Sequence, residues 1–286
     1  MMPGSASSSL LHALSLLAVP LLQWLLSPPG SPLLPSPAHG ASWRAFLLLG
    51  VIPFLWFGVC AGAWALADAL VVSGASPALA ACKLQPLFRP SPRDYLIALS
   101  VALQSWVLVG LPFAWLLVSA LGPRLGVPAS AVDAPWSPWE FARHLPAFLI
   151  VVELGFYTSH RALHSSRAAY ALVHRQHHEF SAPFALAAVY AHPLEHLLSN
   201  VLPISAGPLL MRSHPFTGCL WACLAIFSTC GAHSGYHIPG LTRAPFHDWH
   251  HEAYTENFGV IGAFLGLDAL LGTSARFKAR LREKAA

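Results

Sequence analysis

Four short phrases gather the residues that can hold a metal. His160 and His164 are spaced HxxxH, and His174, His177 and His178 follow as HxxHH. His233 and His237 repeat the first spacing, and His247, His250 and His251 repeat the second. On a helix, positions i and i+4 share a face, about 6 Å apart along the axis, so both imidazoles reach one ion. In HxxHH the first two histidines lie close enough in azimuth to share a metal. The adjacent pair diverges by about 100° and can serve two ions. The phrases thus offer ten ligands, about five for each of two metals. Of sixteen histidines, thirteen fall between His160 and His251.

Imidazole suits iron, zinc and copper. A purely nitrogen donor set disfavours Mg²⁺ and Ca²⁺, which want oxygen, and departs from carboxylate-rich di-iron bundles. A bis-histidine haem needs far fewer histidines, placed inside the crossings. A zinc hydrolase usually keeps three ligands and an open position, and no nucleophile motif accompanies these phrases. Glu153, Glu179, Asp248 and Glu252 are placed to hydrogen-bond the free ring nitrogens. His192 and His196 sit near the start of an apolar hairpin, where ionisable groups are functional by default. They are candidates for support of the ligands, substrate contact or auxiliary ligation. His12, His39, His144 and His214 read as structural.

The rest of the chain must position these groups. It has 286 residues, 55% hydrophobic and 10% charged, with a mean hydropathy of +0.55. Soluble domains carry about 25% charged residues, so the composition is that of a membrane protein. No basic run with interleaved aromatics suggests nucleic acid. Five cysteines without CxxC spacing read as reduced, buried thiols.

Residues 1–41 comprise an apolar run (10–26) without a basic lead and a Pro/Ser/Gly-rich linker. Residues 42–143 hold two uncharged runs, 45–67 and 95–121, each long enough for a crossing, and a Pro-rich loop with tryptophans. Residues 144–274 form the histidine-bearing region. There 145–159 reads as a helix reaching the surface rather than a full crossing, and 182–211 with 215–232 read as a second hairpin. A hairpin returns the chain to the face it left, so His178 and His233 must share a membrane face. On this layout Arg143, Arg161, Arg167, Arg175, Arg243 and the basic tail 275–286 share the histidine face. Lys83, Arg89, Arg93 and Arg212 fall opposite, and the bias puts the histidines in the cytosol. The tail ending Arg282-Glu283-Lys284-Ala285-Ala286 is similar to a lysine-based retrieval signal, beside its plainer reading as a solvated tail. The expected fold is all-α and integral to the membrane: two transmembrane hairpins under a cytosolic helical cap with a poly-histidine di-metal site.

At these residues the chain resembles the fatty acid hydroxylase superfamily of membrane sterol and fatty-acid oxidases, over roughly residues 140–274. Phe156-Tyr157-Thr158-Ser159-His160-Arg161 with His164 looks like its first histidine box. His177-His178-Glu179-Phe180-Ser181-Ala182-Pro183-Phe184, Tyr190-Ala191-His192-Pro193-Leu194-Glu195, His233-Ser234-Gly235-Tyr236 and Phe246-His247-Asp248-Trp249-His250-His251 look like C-4 methylsterol oxidases. Residues 259–267 read more like that group's hydroxylase-domain paralogues, and 268–274 lack the usual aromatic and final acid. The resemblance implies two iron ions at the endoplasmic reticulum membrane, reduced from NAD(P)H through cytochrome b5 and its reductase. It implies dioxygen-dependent oxidation of a lipid, a C-4 methylsterol first. It assigns His160, His164, His174, His177 and His247 to one iron, and His178, His233, His237, His250 and His251 to the other. Tyr157, Tyr190, Trp249 and Phe258 are candidates for the wall of a lateral lipid route. Other readings are a fatty acyl or sphingolipid hydroxylase or desaturase, and a non-catalytic paralogue that binds sterol or a partner.

Overall fold

The computed structural model describes residues 37–285. The expectation for residues 10–26 lies outside them, and the end of the expected linker, from Pro37, is already helical. Among the described residues there is no strand, only one isolated bridge between Lys83 and Tyr236.

Among the described residues three helices are long and apolar enough to cross a membrane: α1 (Gly40–Val72), α2 (Pro92–Arg124) and α5 (Pro215–His233). Between α2 and α5 stand α3 (Pro138–Ser165) and α4. The latter comprises Pro193–Glu195, a π-helical stretch His196–Val201 and Leu202–Leu210. Two longer helices follow, α6 (Ala244–Ala253) and the basic α7 (Ala275–Ala285), with a single turn at Leu267–Leu270 between them. α2 to α5 all begin with the same device. Ser91, Ser137, His192 and His214 each cap a free N–H, and each is followed by proline at the first helical position. Proline there loses no hydrogen bond and presets the backbone angle.

Prolines also explain the wide turns. The π-helical stretches Leu47–Val51, Trp106–Gly110, Leu117–Leu121 and His196–Val201 each end two residues before a proline: Pro53, Pro112, Pro123 and Pro203. A proline inside a helix lacks an N–H and crowds the carbonyl four residues back, and the wider ladder accommodates both. The stretch Tyr170–His174 has no such proline, and it carries a histidine of the site. π-turns of that kind concentrate at functional positions.

The packing corrects the expected layout. α3 runs the length of the bundle. Its start lies beside the α4–α5 turn, where Glu140 accepts from the Thr217 hydroxyl and the His214 N–H, and its end carries His160 and His164. At 28 residues it is about 42 Å long. Glu140, Arg143, Glu153 and Arg161 hid that length in the hydropathy. One more traverse reverses the side of every earlier loop. The 73–91 connection therefore lies at the histidine end, not opposite it. There Gln85 bonds Asp248 at 2.9 Å, and Lys83 meets Asp68 at 2.5 Å beneath the Tyr236 ring. Asp68 also accepts from the Tyr95 and Tyr236 hydroxyls, both at 2.7 Å. This buried clamp ties α1, α2 and their loop to the turn after α5. Conversely, Arg143 belongs to the far end with Arg44, Arg124 and Arg212.

The expected second hairpin also starts later. Residues 182–192 are irregular with a 3-10 turn at Ala185–Val189, and helix begins only at Pro193.

Candidate metal centre

Nine of the ten candidate histidines converge at the end of the bundle. His160, His164, His174, His178 and His250 form one group, and His177, His233, His247 and His251 the other, with ligand atoms in each within 4.8 Å of one another. All are buried except His164, which is half-buried. The sorting differs from the expected one. Each i, i+4 pair (160/164, 174/178, 247/251) shares a group; against the expected sets, His178 and His250 join the first group and His177 and His247 the second. Two histidines three apart do not share a group here, because the second points to the neighbouring face.

His237 joins neither group. α5 ends at His233, and Gly235 takes a left-handed backbone (φ 74°) that turns the chain. The HxxxH spacing is therefore not on a helix, and the His237 ring is exposed.

Hydrogen bonds fix the tautomers of four rings. Nδ1 of His160, His233, His250 and His251 lies 2.9, 2.9, 2.7 and 3.1 Å from the carbonyls of Phe258, Thr229, Glu256 and Phe180. A carbonyl only accepts, so each Nδ1 carries the proton and Nε2 keeps a lone pair. His174 Nδ1 lies 2.9 Å from Glu195 Oε1. The Nε2 atoms face one another. The 164–174, 164–178, 174–178 and 178–250 contacts are 2.8, 3.2, 3.1 and 3.2 Å. In the second group the 177–233, 233–247 and 247–251 contacts are 3.4, 2.9 and 3.1 Å. Nitrogens about 2.1 Å from one ion stand about 3.0 Å apart at a right angle and about 3.4 Å in a tetrahedron. Lone pairs at these separations repel unless a cation lies between them. Burial, reinforced by the neighbouring imidazoles, pushes the pKa values of His164, His177, His247, His250 and His251 well down. The rings are thus neutral, the form that ligates.

The acids play other parts than those expected. Glu153, 4% exposed, accepts from the N–H groups of Val260, Ile261 and Leu267 at 2.7–2.9 Å. Asp268 accepts from Phe258 and Gly259. Together they hold the 257–268 loop, whose Phe258 carbonyl orients His160. Cβ atoms at Gly259 and Gly266 would run into the Glu153 carboxylate. Glu179 accepts from the Tyr190 hydroxyl, Asp248 from Gln85, and Glu252 pairs with Arg280 at the surface. The carboxylate that does reach a ligand is Glu195, absent from the expected set. An acid buried at the mouth of an apolar helix was the available signal.

A cavity of about 470 Å³ opens beside both groups, lined by His160, His177, His233 and His247 among apolar side chains such as Phe156 and Trp221. Leu149, Leu224 and Leu265 in its wall are 39%, 44% and 86% exposed, so it reaches the flank of the bundle. Its size suits a small lipid. Tyr157, Tyr190, Trp249 and Phe258 are not part of this wall. Tyr157 bonds Thr273, Tyr190 packs with Phe180, Trp249 lies under Arg280, and Phe258 packs on His160. His192 caps α4, and His196 lines a smaller cavity.

Residues 145–273 match the family model described as fatty acid hydroxylase. A protein provisionally named methylsterol monooxygenase from Dictyostelium discoideum is 34% identical over 187 residues, 62% of this chain and 67% of that one. The chain belongs to the fatty acid hydroxylase family. A fatty acid hydroxylase of Mycosarcoma maydis is 39% identical over 79% of the chain and 56% of its own length. The human fatty acid hydroxylase domain-containing protein 2 is 42% identical over 51% of the chain and 42% of its own length. The chain thus spans about half the length of these last two relatives. No solved structure matches it.

Proposed function

We propose that this chain is a membrane-bound di-iron oxygenase that oxidises a lipid, a C-4 methylsterol first. The observation that carries the reading is the pair of converging Nε2 sets beside an apolar, laterally open cavity. The donor set fits two ions of a late first-row metal, five imidazoles around one and four around the other. Bound there, iron supplies the redox chemistry that activates dioxygen, with electrons drawn from NAD(P)H by way of cytochrome b5 and its reductase. The chain's own residues hold and aim. Backbone carbonyls hold His160, His233, His250 and His251 in their ligating tautomer, and Glu195 stands beside His174. The cavity excludes bulk water and delivers an apolar C–H to within reach of His160, His177, His233 and His247.

Placement in the membrane follows from charge. Of sixteen lysines and arginines, only Arg44, Arg124, Arg143 and Arg212 belong to the far end. The positive-inside rule then favours the histidine end in the cytosol, as expected for an endoplasmic reticulum enzyme in which α3 traverses the bilayer between the α1–α2 and α4–α5 pairs. A fatty acyl substrate is the second reading, favoured by the relative named fatty acid hydroxylase, whose likeness covers most of the chain.

Membranes bearing the protein, supplied with 4-methylsterols, NADH and dioxygen, are expected to yield 4-carboxy or demethylated sterol. Product only from a long-chain acyl substrate would replace the sterol reading, and product from neither would remove both. His177→Ala and His250→Ala are expected to lose metal from different groups. Unchanged iron content in both would refute the site.

A further inference from the structure

Within the bundle a second cavity, of about 100 Å³, adjoins the large one, and Ala188, Asn200, Ile204 and Thr229 face both. Its wall is mostly hydrocarbon, yet it includes His196 and Trp106. His196 is 3% exposed, and neither of its ring nitrogens has a hydrogen-bond partner. The indole N–H of Trp106 has none either. The two rings meet edge-on with centroids 6.0 Å apart. The hydroxyls of Ser105, next to Trp106, and Ser199, one turn beyond His196, are also buried and unpartnered. The two π-turns Trp106–Gly110 and His196–Val201 come together here.

Buried polar groups are rarely left unpaired, and exceptions mark strain, function or a bound species. Lipid around the bundle offers no compensating partner. The nature of the missing partner follows from the donors. An indole N–H only donates, while a neutral imidazole donates from one nitrogen and accepts at the other. No lysine or arginine lines the cavity, so a carboxylate would be buried without a counter-charge. The complementary group is uncharged and both accepts and donates, which describes a hydroxyl. A cavity of this size with several convergent polar atoms also accommodates ordered water.

We propose that this chamber is a hydroxyl-binding subsite, in which His196 and Trp106 hold either water or the hydroxyl of a lipid lying in the larger cavity. The lipid source rests on the lipid-oxidase reading, and the water source does not.

Radiolytic hydroxyl-radical labelling of the purified, delipidated full-length protein in detergent tests it without requiring turnover. Relative to its intrinsic reactivity, His196, 3% exposed, is expected to label several-fold faster than Tyr236, a fully buried ring whose hydroxyl is bonded to Asp68. Protection by added 1-octadecanol but not by octadecane assigns the chamber to a lipid hydroxyl. Labelling unchanged by both assigns it to water. Labelling no faster than at Tyr236, or equal protection by octadecane, overturns the proposal. His196→Leu gives an independent reading. A filled chamber predicts a lower unfolding temperature for it and near-native behaviour for His196→Gln. A dry chamber predicts that His196→Leu unfolds at the same or a higher temperature, because an unpaired polar group has been removed. Metal content, measured in parallel, reports separately on the oxygenase reading.

Discussion

Glu153→Leu should cost the protein one metal ion as well as stability. The carboxylate is buried in α3 and accepts three backbone N–H groups, from Val260, Ile261 and Leu267. A hydrogen bond to a charged acceptor is worth about 1.5–3 kcal/mol. Three such bonds set an upper limit of roughly 5–9 kcal/mol. The loop can relax and recover some partners, so the expected loss is about 3–5 kcal/mol, the range for breaking a buried charged network. The second effect is specific. The loop carries the Phe258 carbonyl that holds His160 Nδ1, and His160 belongs to the five-histidine group. That group should lose affinity while the other, held through Thr229 and Phe180, keeps it. Metal per chain should fall from two toward one, read by elemental analysis beside thermal unfolding in detergent. A variant that unfolds like the parent and retains two ions would refute the loop-to-ligand coupling.

Gly266→Ala should reproduce this phenotype, because its new methyl would displace the Glu153 carboxylate; normal metal content would argue against it. His237→Ala should leave metal content unchanged, in contrast to His250→Ala, and equal losses would return His237 to the ligand set. Lys83→Ala should lower stability by about 3–5 kcal/mol, since it leaves the buried Asp68 carboxylate unpaired; a change below about 1 kcal/mol would show that the two tyrosine hydroxyls suffice. Metal-free protein should be destabilised by acid. The buried histidines titrate below their usual value, so the unfolded chain binds protons first as pH falls through about 6.5. Stability is then lost progressively below that pH until the folded-state values are reached, and a flat unfolding profile from pH 7.5 to 5 would contradict this.

The convergence of the histidines was open to a reading of spacing because helical periodicity makes i, i+4 imidazoles neighbours. The exceptions have local causes. His237 falls outside because Gly235 ends the helix before it. The exchange of His177 and His247 for His178 and His250 depends on which way two short helical segments are rotated, which spacing alone does not carry. α3 was underestimated because hydropathy counts Glu153 as a polar interruption, whereas in the fold it is consumed by three backbone N–H groups. Glu195 was passed over for the same reason that it matters: an isolated carboxylate shows its partner only when the chain brings His174 beside it.

The clamp of Asp68, Lys83, Tyr95 and Tyr236 bears on how this family's catalytic region can be handled. The match to the family model begins at residue 145, which invites treating everything before it as a dispensable anchor. Yet a piece cut there would surrender the Asp68 partner of Tyr236, three residues past His233, and the Gln85 partner of Asp248, beside His247. The two turns that present those histidines would each lose a brace. The stretch that the family model covers is therefore smaller than the unit that folds, and a minimal working fragment must reach back through α1.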